Sequence, residues 1–125
     1  MAIVAAAVCG CGYKMKDDPG TLAGNAAVQY YSYLLGGDYD AFVDGTYRAQ
    51  PLRKEFRQEL VENAQMFVGQ MKQKHNGLQH VEVHSAVADT TMHAANVILS
   101  FCFADGTKEN VAVPMVEADG LWYMR

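Results

Sequence analysis

Acid–base chemistry needs a carboxylate, imidazole or phenol held away from water beside a group that tunes it. Most carboxylates of this chain sit elsewhere. Asp17, Asp18 and Asp38 stand where helices begin and read as caps, while Asp89, Asp105 and Asp119 fall in turns. Glu82 and Glu109 alternate with apolar residues along strands, where one of the two can point inward. Glu117 shares a predicted face with Trp122 but falls near a solvent-facing strand end. The histidines form no ligand set either. His80 and His84 lie on one strand about 13 Å apart at a rise of ~3.3 Å per residue, too far to share a metal. His93 lies across the first hairpin, and zinc needs three or four ligands. No third ligand is evident, so no metal and no cofactor is expected. His75 ends a helix and complements its C-terminal dipole.

The tyrosines are the more suggestive group. Tyr30, Tyr31 and Tyr33 share one predicted helix, with Tyr39 and Tyr47 close behind. Such rings can wall a pocket while a hydroxyl fixes a ligand. The plainer reading is that they fill the core and leave their hydroxyls at its rim. If a pocket exists, Tyr30, Tyr33 and Trp122 are its expected walls, with Phe67 and Met71 as further lining. Core packing accounts equally for the last two.

Cys9 and Cys11 follow a short apolar run, Met1 to Val8. Val8-Cys9-Gly10-Cys11 resembles a bacterial lipobox with Cys11 as the lipidated residue. No Lys or Arg precedes the run, although secretory signals carry one. The alternative is a cytoplasmic protein with an apolar tail. The run is too short to span a membrane, which takes about 20 apolar residues. A Cys-x-Cys pair without a second ligand pair is a weak zinc signal. Cys102, inside an apolar strand, reads as a small buried hydrophobe. The expected organisation is a lipoprotein-type signal remnant (1–11), a polar tether (12–18) and one domain (19–125).

The elements that must position these groups fall in a clear order. Asp17 or Asp18 caps a helix with Pro19 at its start, running to about Leu35 and ended by Gly36-Gly37. Leu22, Ala26, Ala27, Tyr30, Tyr33 and Leu34 recur at three- and four-residue steps and predict its buried stripe. Asp38 caps a short helix closed by Gly45. Pro51 is expected to open a third helix reaching His75, with Leu52, Phe56, Leu60, Ala64, Phe67 and Met71 inward. Four strands follow, at about 79–87, 93–104, 107–117 and 121–124. Asp105-Gly106 and Asp119-Gly120 are strong hairpin signals, because a type I′ turn needs φ > 0 at both central residues. Two-residue turns would set Ala104 against Thr107 and Ala118 against Leu121. Cys102, Val113, Met115, Trp122 and Met124 would then share one face, and Val97, Leu99, Phe101, Phe103 and Tyr123 the other. Both faces would be apolar, and both would need a cover. The fold class is therefore α+β: three helices packed on a curved antiparallel four-stranded meander.

Leu34-Leu35-Gly36-Gly37-Asp38-Tyr39-Asp40-Ala41-Phe42 is similar to the helix junction of the nuclear-transport-factor-two-like superfamily, also called cystatin-like cone folds. Asp119-Gly120-Leu121-Trp122-Tyr123-Met124 resembles its closing hairpin. With the lipobox, the whole most resembles small Bacteroides-type lipoproteins of unassigned function. The resemblance spans Pro19 to Met124. It implies helices in the concavity of the sheet, a conical pocket between them, and homodimerisation through the outer sheet face. The superfamily hosts isomerases, dehydratases, epoxide hydrolases and binding modules, so fold alone selects no activity.

At 125 residues, half of them apolar, the chain makes one globular domain. A formal charge of −4, with glutamates set among Arg48, Arg53, Lys54 and Arg57, argues against nucleic acid. The residues favour a non-catalytic cell-envelope domain that binds a small apolar ligand or a partner protein. Its membrane association would be through the lipid alone. An isomerase or hydrolase with a pocket carboxylate and Tyr is the alternative, and a purely structural dimer module the third.

Overall fold

A computed structural model describes residues 18–125. The lipobox, Cys11 and nearly all of the tether lie outside the described residues. Three helices precede four strands: α1 (Pro19–Leu35), α2 (Tyr39–Asp44), α3 (Lys54–His75), β1 (Leu78–Asp89), β2 (Ala94–Phe103), β3 (Lys108–Ala118) and β4 (Leu121–Met124). The strands form one antiparallel sheet in the order β1-β2-β3-β4. The α+β architecture of three helices on a curved four-stranded meander is as the residues predict.

The local chemistry explains most boundaries. Asp18 accepts from the Thr21 amide at 3.1 Å, with Pro19 in the first turn of α1. Asp38 accepts from the Ala41 amide at 3.1 Å and starts α2. Asn76 ends α3 in the left-handed region at φ 63°, followed by Gly77 at φ 110°. The start of α3 differs from expectation. It begins at Lys54, three residues beyond Pro51, and its cap residue Arg53 makes no side-chain capping bond. Phe56, expected inward, is half exposed, and Ala64 is the residue of α3 that is buried.

Two register findings matter more. The β3–β4 turn is as expected: Ala118 opposes Leu121, and Asp119 and Gly120 have φ of 53° and 80°. The β2–β3 turn is one residue longer. Cys102 opposes Lys108, the Gly106 amide donates to the Phe103 carbonyl, and Gly106 alone has positive φ. That is a three-residue loop ending in a left-handed glycine, the hairpin built on a type I turn and a bulge. A one-residue slip moves every side chain of a strand to the other face. Val97, Leu99, Phe101 and Phe103 therefore join Val113, Met115, Trp122 and Met124 in a single core against α1. Cys102 moves to the outer face.

The outer face is consequently not apolar along its length, which corrects the expectation of two apolar faces. One half carries His80, Glu82, Ser100, Lys108 and Asn110; the other carries Val87, Ile98, Ala112, Val116 and Tyr123. Register shifts between Leu78 and His80 and between Val83 and Ser85 mark irregularities in β1. Bulges of this kind bend a strand and increase its twist, as a sheet wrapping helices requires.

Helix α1 packs by a stripe only partly expected: Ala27 and Leu34 are buried as the periodicity predicts, but the rest of the buried set is different. Gly20, Ala23, Gly24 and Ala27 are buried, and a Cβ on Gly24 would meet Val83 at 3.2 Å. Small residues let the helix axis approach β1 closely, so the larger Leu22, Tyr30 and Tyr33 turn to its flank beside Ala26. Leu22 is 43% exposed.

Candidate functional site

The flank of α1 and the edge strand β4 make a cleft of about 360 Å³, lined by Leu22, Ala26, Gln29, Tyr30, Tyr33, Gly120, Leu121 and Trp122. The close approach of α1 to β1 produces it, by turning the large side chains toward β4. Trp122 is buried at 7% exposure, whereas Leu121 is 59% exposed at the mouth. Three of the five expected pocket residues, Tyr30, Tyr33 and Trp122, thus come together.

Tyr30 has a structural role as well. Its hydroxyl donates to the Trp122 carbonyl at 2.5 Å, and its ring lies directly over Gly45. Burial, then the neighbouring Tyr123 and Tyr33, push its pKa up. The hydroxyl is therefore a protonated donor committed to the β4 backbone, and only the ring faces a ligand. The remainder of the β4 edge is closed by the Met124 amide donating to the Gly45 carbonyl and the Tyr47 amide donating to the Met124 carbonyl, each at 2.7 Å. Pairing of this kind removes an open sheet edge.

Phe67 and Met71 lie elsewhere, packed against the core from α3. The space between helices and sheet is occupied by rings. Tyr31 stands 5.2 Å from both Phe42 and Phe101, and Phe67 stands 6.3 Å from Phe101. Burial pushes the Tyr31 phenol up. None of the five openings described is lined by Tyr31, Phe42, Phe67 or Phe101.

A larger groove of about 550 Å³ lies across β4, walled in part by Tyr47, Leu52, Arg48, Arg57, Asp44 and Tyr123. Arg57 bonds Asp44 and Asp40, which hold its guanidinium above its ordinary value. Arg48 donates to the Val43 and Thr46 carbonyls. The groove is more polar than the cleft.

The expected acid–base candidates are not brought together. Glu82 and Glu109 are exposed, and neither reaches a tyrosine hydroxyl among the hydrogen bonds described. Glu117 lies 3.4 Å from His93, whose φ of 51° places it in the β1–β2 turn rather than beside His84. His75 bonds Asp105 at 3.0 Å and stacks on Phe103. The Leu22 and Leu121 contribution escaped the sequence reading because Leu22 was assigned to the buried stripe. The alternation of glycine and alanine at 20, 23, 24 and 27 was the available signal.

No family model and no curated protein matches the chain. Among solved structures, a Campylobacter jejuni protein described as an "NTF2-like transpeptidase" superposes with a TM-score of 0.64 over 80% of this chain and 94% of that one, at 12% identity. The fold is that of the NTF2-like domains. A SEC-C motif containing protein from Rhodopseudomonas palustris matches at a TM-score of 0.47, with 16% identity over 75% of this chain and 67% of that one. That likeness carries no argument. In the NTF2-like frame, the cleft lies at the rim where the closing strand meets the first helix.

Proposed function

We propose that this domain is a non-catalytic binding module whose cleft between α1 and β4 takes a small apolar ligand or an apolar side chain of a partner protein. One observation carries the reading. Leu22 and Leu121 stand exposed at the mouth of a cleft floored by Tyr30, Tyr33 and Trp122. Exposed apolar groups around a concavity mark interaction sites, and about 360 Å³ falls in the range of small-molecule pockets. Against the isomerase or hydrolase alternative stands the exposure of Glu82 and Glu109.

Trp122 is the single tryptophan and reports on the cleft directly. Its emission should shift on titration with a medium-chain fatty acid or an anilinonaphthalene sulfonate. A Leu22→Asp/Leu121→Asp variant, altered only at exposed positions, should lose that response. An unchanged response in the variant places binding elsewhere and overturns the reading. Native mass spectrometry of the purified protein would identify a co-purifying ligand.

The cell-envelope location belongs to the same proposal and rests on the lipobox-like residues alone. A palmitate analogue should label the full-length chain and not its Cys11→Ala variant. Equal labelling of both would remove the lipid anchor from the proposal.

A second reading concerns the outer sheet face. Its apolar half, with Val87 71% exposed, favours a homodimer across that half alone.

A further inference from the structure

The β2–β3 register places Cys102 on the outer sheet face, and the β1–β2 register sets His80 directly opposite it, with Glu82 opposite Ser100 one step along. The three side chains converge. Cys102 Sγ lies 3.6 Å from Glu82 Oε2, and His80 Nε2 lies 3.7 Å from the same oxygen. All three potential ligand atoms fall within 4.8 Å of one another.

The two separations to Glu82 Oε2 are close to the edges of a coordination tetrahedron. Zinc–sulfur bonds of about 2.3 Å and zinc–nitrogen or zinc–oxygen bonds of about 2.0–2.1 Å give edges of about 3.5 Å (S to O) and about 3.3 Å (N to O). We propose that His80, Glu82 and Cys102 bind a divalent transition-metal ion of the zinc class.

The donor set fits that chemistry. A thiolate excludes magnesium and calcium as preferred occupants, because those ions take oxygen ligands. Thiolate and carboxylate together carry two negative charges, which balance a divalent cation, and the imidazole binds neutral. The Cys102 thiol now donates to Glu82. Binding would replace that proton with the metal and release it to water, so each ion bound frees one proton from the thiol.

The scaffold is suited to hold such a site. All three residues lie within paired strands, and the register shift between Leu78 and His80 re-aims His80 toward Cys102. Cys102 is only 7% exposed, so its sulfur offers a shielded side to the ion. His80 and Glu82 are exposed, which leaves the fourth position to water or a small anion.

Cobalt(II) is the probe of choice, since a thiolate ligand gives it a charge-transfer band and tetrahedral geometry intensifies its visible bands. The full chain should be titrated beside a Cys9→Ser/Cys11→Ser chain, which removes the other thiols. One equivalent should bind in both, with the thiolate band present. Zinc should displace the cobalt. In the Cys9→Ser/Cys11→Ser background, Cys102→Ser should abolish the band. His80→Ala and Glu82→Gln, at exposed positions that leave the core intact, should each weaken binding tenfold or more. If Cys102→Ser fails to fold, those two variants decide. Absence of the band in the Cys9→Ser/Cys11→Ser chain overturns the proposal. So does a band that His80→Ala and Glu82→Gln leave unweakened.

Discussion

The Tyr30 hydroxyl reaches across 92 residues of sequence to the backbone carbonyl of Trp122, at 2.5 Å. It fastens the middle of α1 to the edge strand β4. Tyr30→Phe keeps the ring and removes the bond, and should lower stability by about 1 kcal/mol. Gly45→Ala should cost more, about 2 kcal/mol, because its Cβ would fall 2.5 Å from Tyr30 Cδ1. Those ring atoms sit close to the helix and cannot swing aside. Gly45 itself has an ordinary φ of −74°, so the cost is steric. Urea unfolding measures both changes. The two should be non-additive in the double variant, since each breaks the same latch. Gly45→Ala at wild-type stability would show that the Tyr30 ring does not pack on Gly45.

The same phenol gives the domain an alkaline limit. Tyr30 and Tyr31 both have pKa values raised above the ordinary 10.0, in each case with burial as the leading cause. Above about pH 10 the unfolded chain has lost these protons while the folded chain retains them. The unfolded state then binds fewer protons, so stability falls as pH rises. The urea midpoint should drop between pH 9 and pH 11, and less so in a Tyr30→Phe/Tyr31→Phe chain. An equal drop in that chain would trace the effect to other groups.

How much of this was legible in the sequence depends on the element. Helix starts at Asp18 and Asp38, and the type I′ turn at Asp119-Gly120, follow from capping and φ requirements that act within four residues. The β2–β3 register did not, because Asp105-Gly106 serves a two-residue and a three-residue loop equally well. Tertiary contact selects the longer one: the Asp105 amide donates to the His75 carbonyl and the Ala104 amide to the Gly77 carbonyl. That single residue decided which face each strand buries. It put Cys102, buried as expected, on the outer sheet face and so hid its meeting with His80 and Glu82. The cleft was half legible. Tyr30, Tyr33 and Trp122 line one cleft, but at the flank of α1 and not in the ring-filled space between helices and sheet, because periodicity alone cannot tell which edge of an apolar stripe faces inward. Gly20 and Gly24 settle it by letting the backbone of α1 approach β1.

The corrected register also narrows where a second copy can dock. The dimer expected from two apolar faces now has only the half around Val87, Ile98, Ala112 and Val116 to use. Light scattering at tens of micromolar should report a dimer for the soluble domain, and Val87→Lys with Val116→Lys should return it to a monomer. Val87 is exposed and Val116 is half-buried, so a circular dichroism spectrum should confirm that the variant folds. A monomeric parent chain would remove the outer face as an assembly surface.

A side-chain contact of the same β2–β3 loop should weaken in acid. Asp105 accepts from the Thr107 hydroxyl and from the Thr107 amide at 2.9 Å, and faces His75 Nδ1 at 3.0 Å. Its carboxyl is held below the ordinary 3.8, first by the Thr107 hydroxyl, then by the Thr107 amide, and also by His75. A lowered carboxyl stabilises the fold above its unfolded value, and that contribution is lost as pH falls through its folded value. Asp105→Asn keeps a turn-compatible side chain and an acceptor for Thr107 but removes the charge. It should therefore unfold at lower urea than the parent at pH 6, and the gap should close as pH falls below 3.8. Hydrogen exchange should show the added opening at the end of α3, where the loop docks on His75. A gap unchanged from pH 6 to pH 3 would mean that the Asp105 charge contributes nothing to holding that helix against the hairpin.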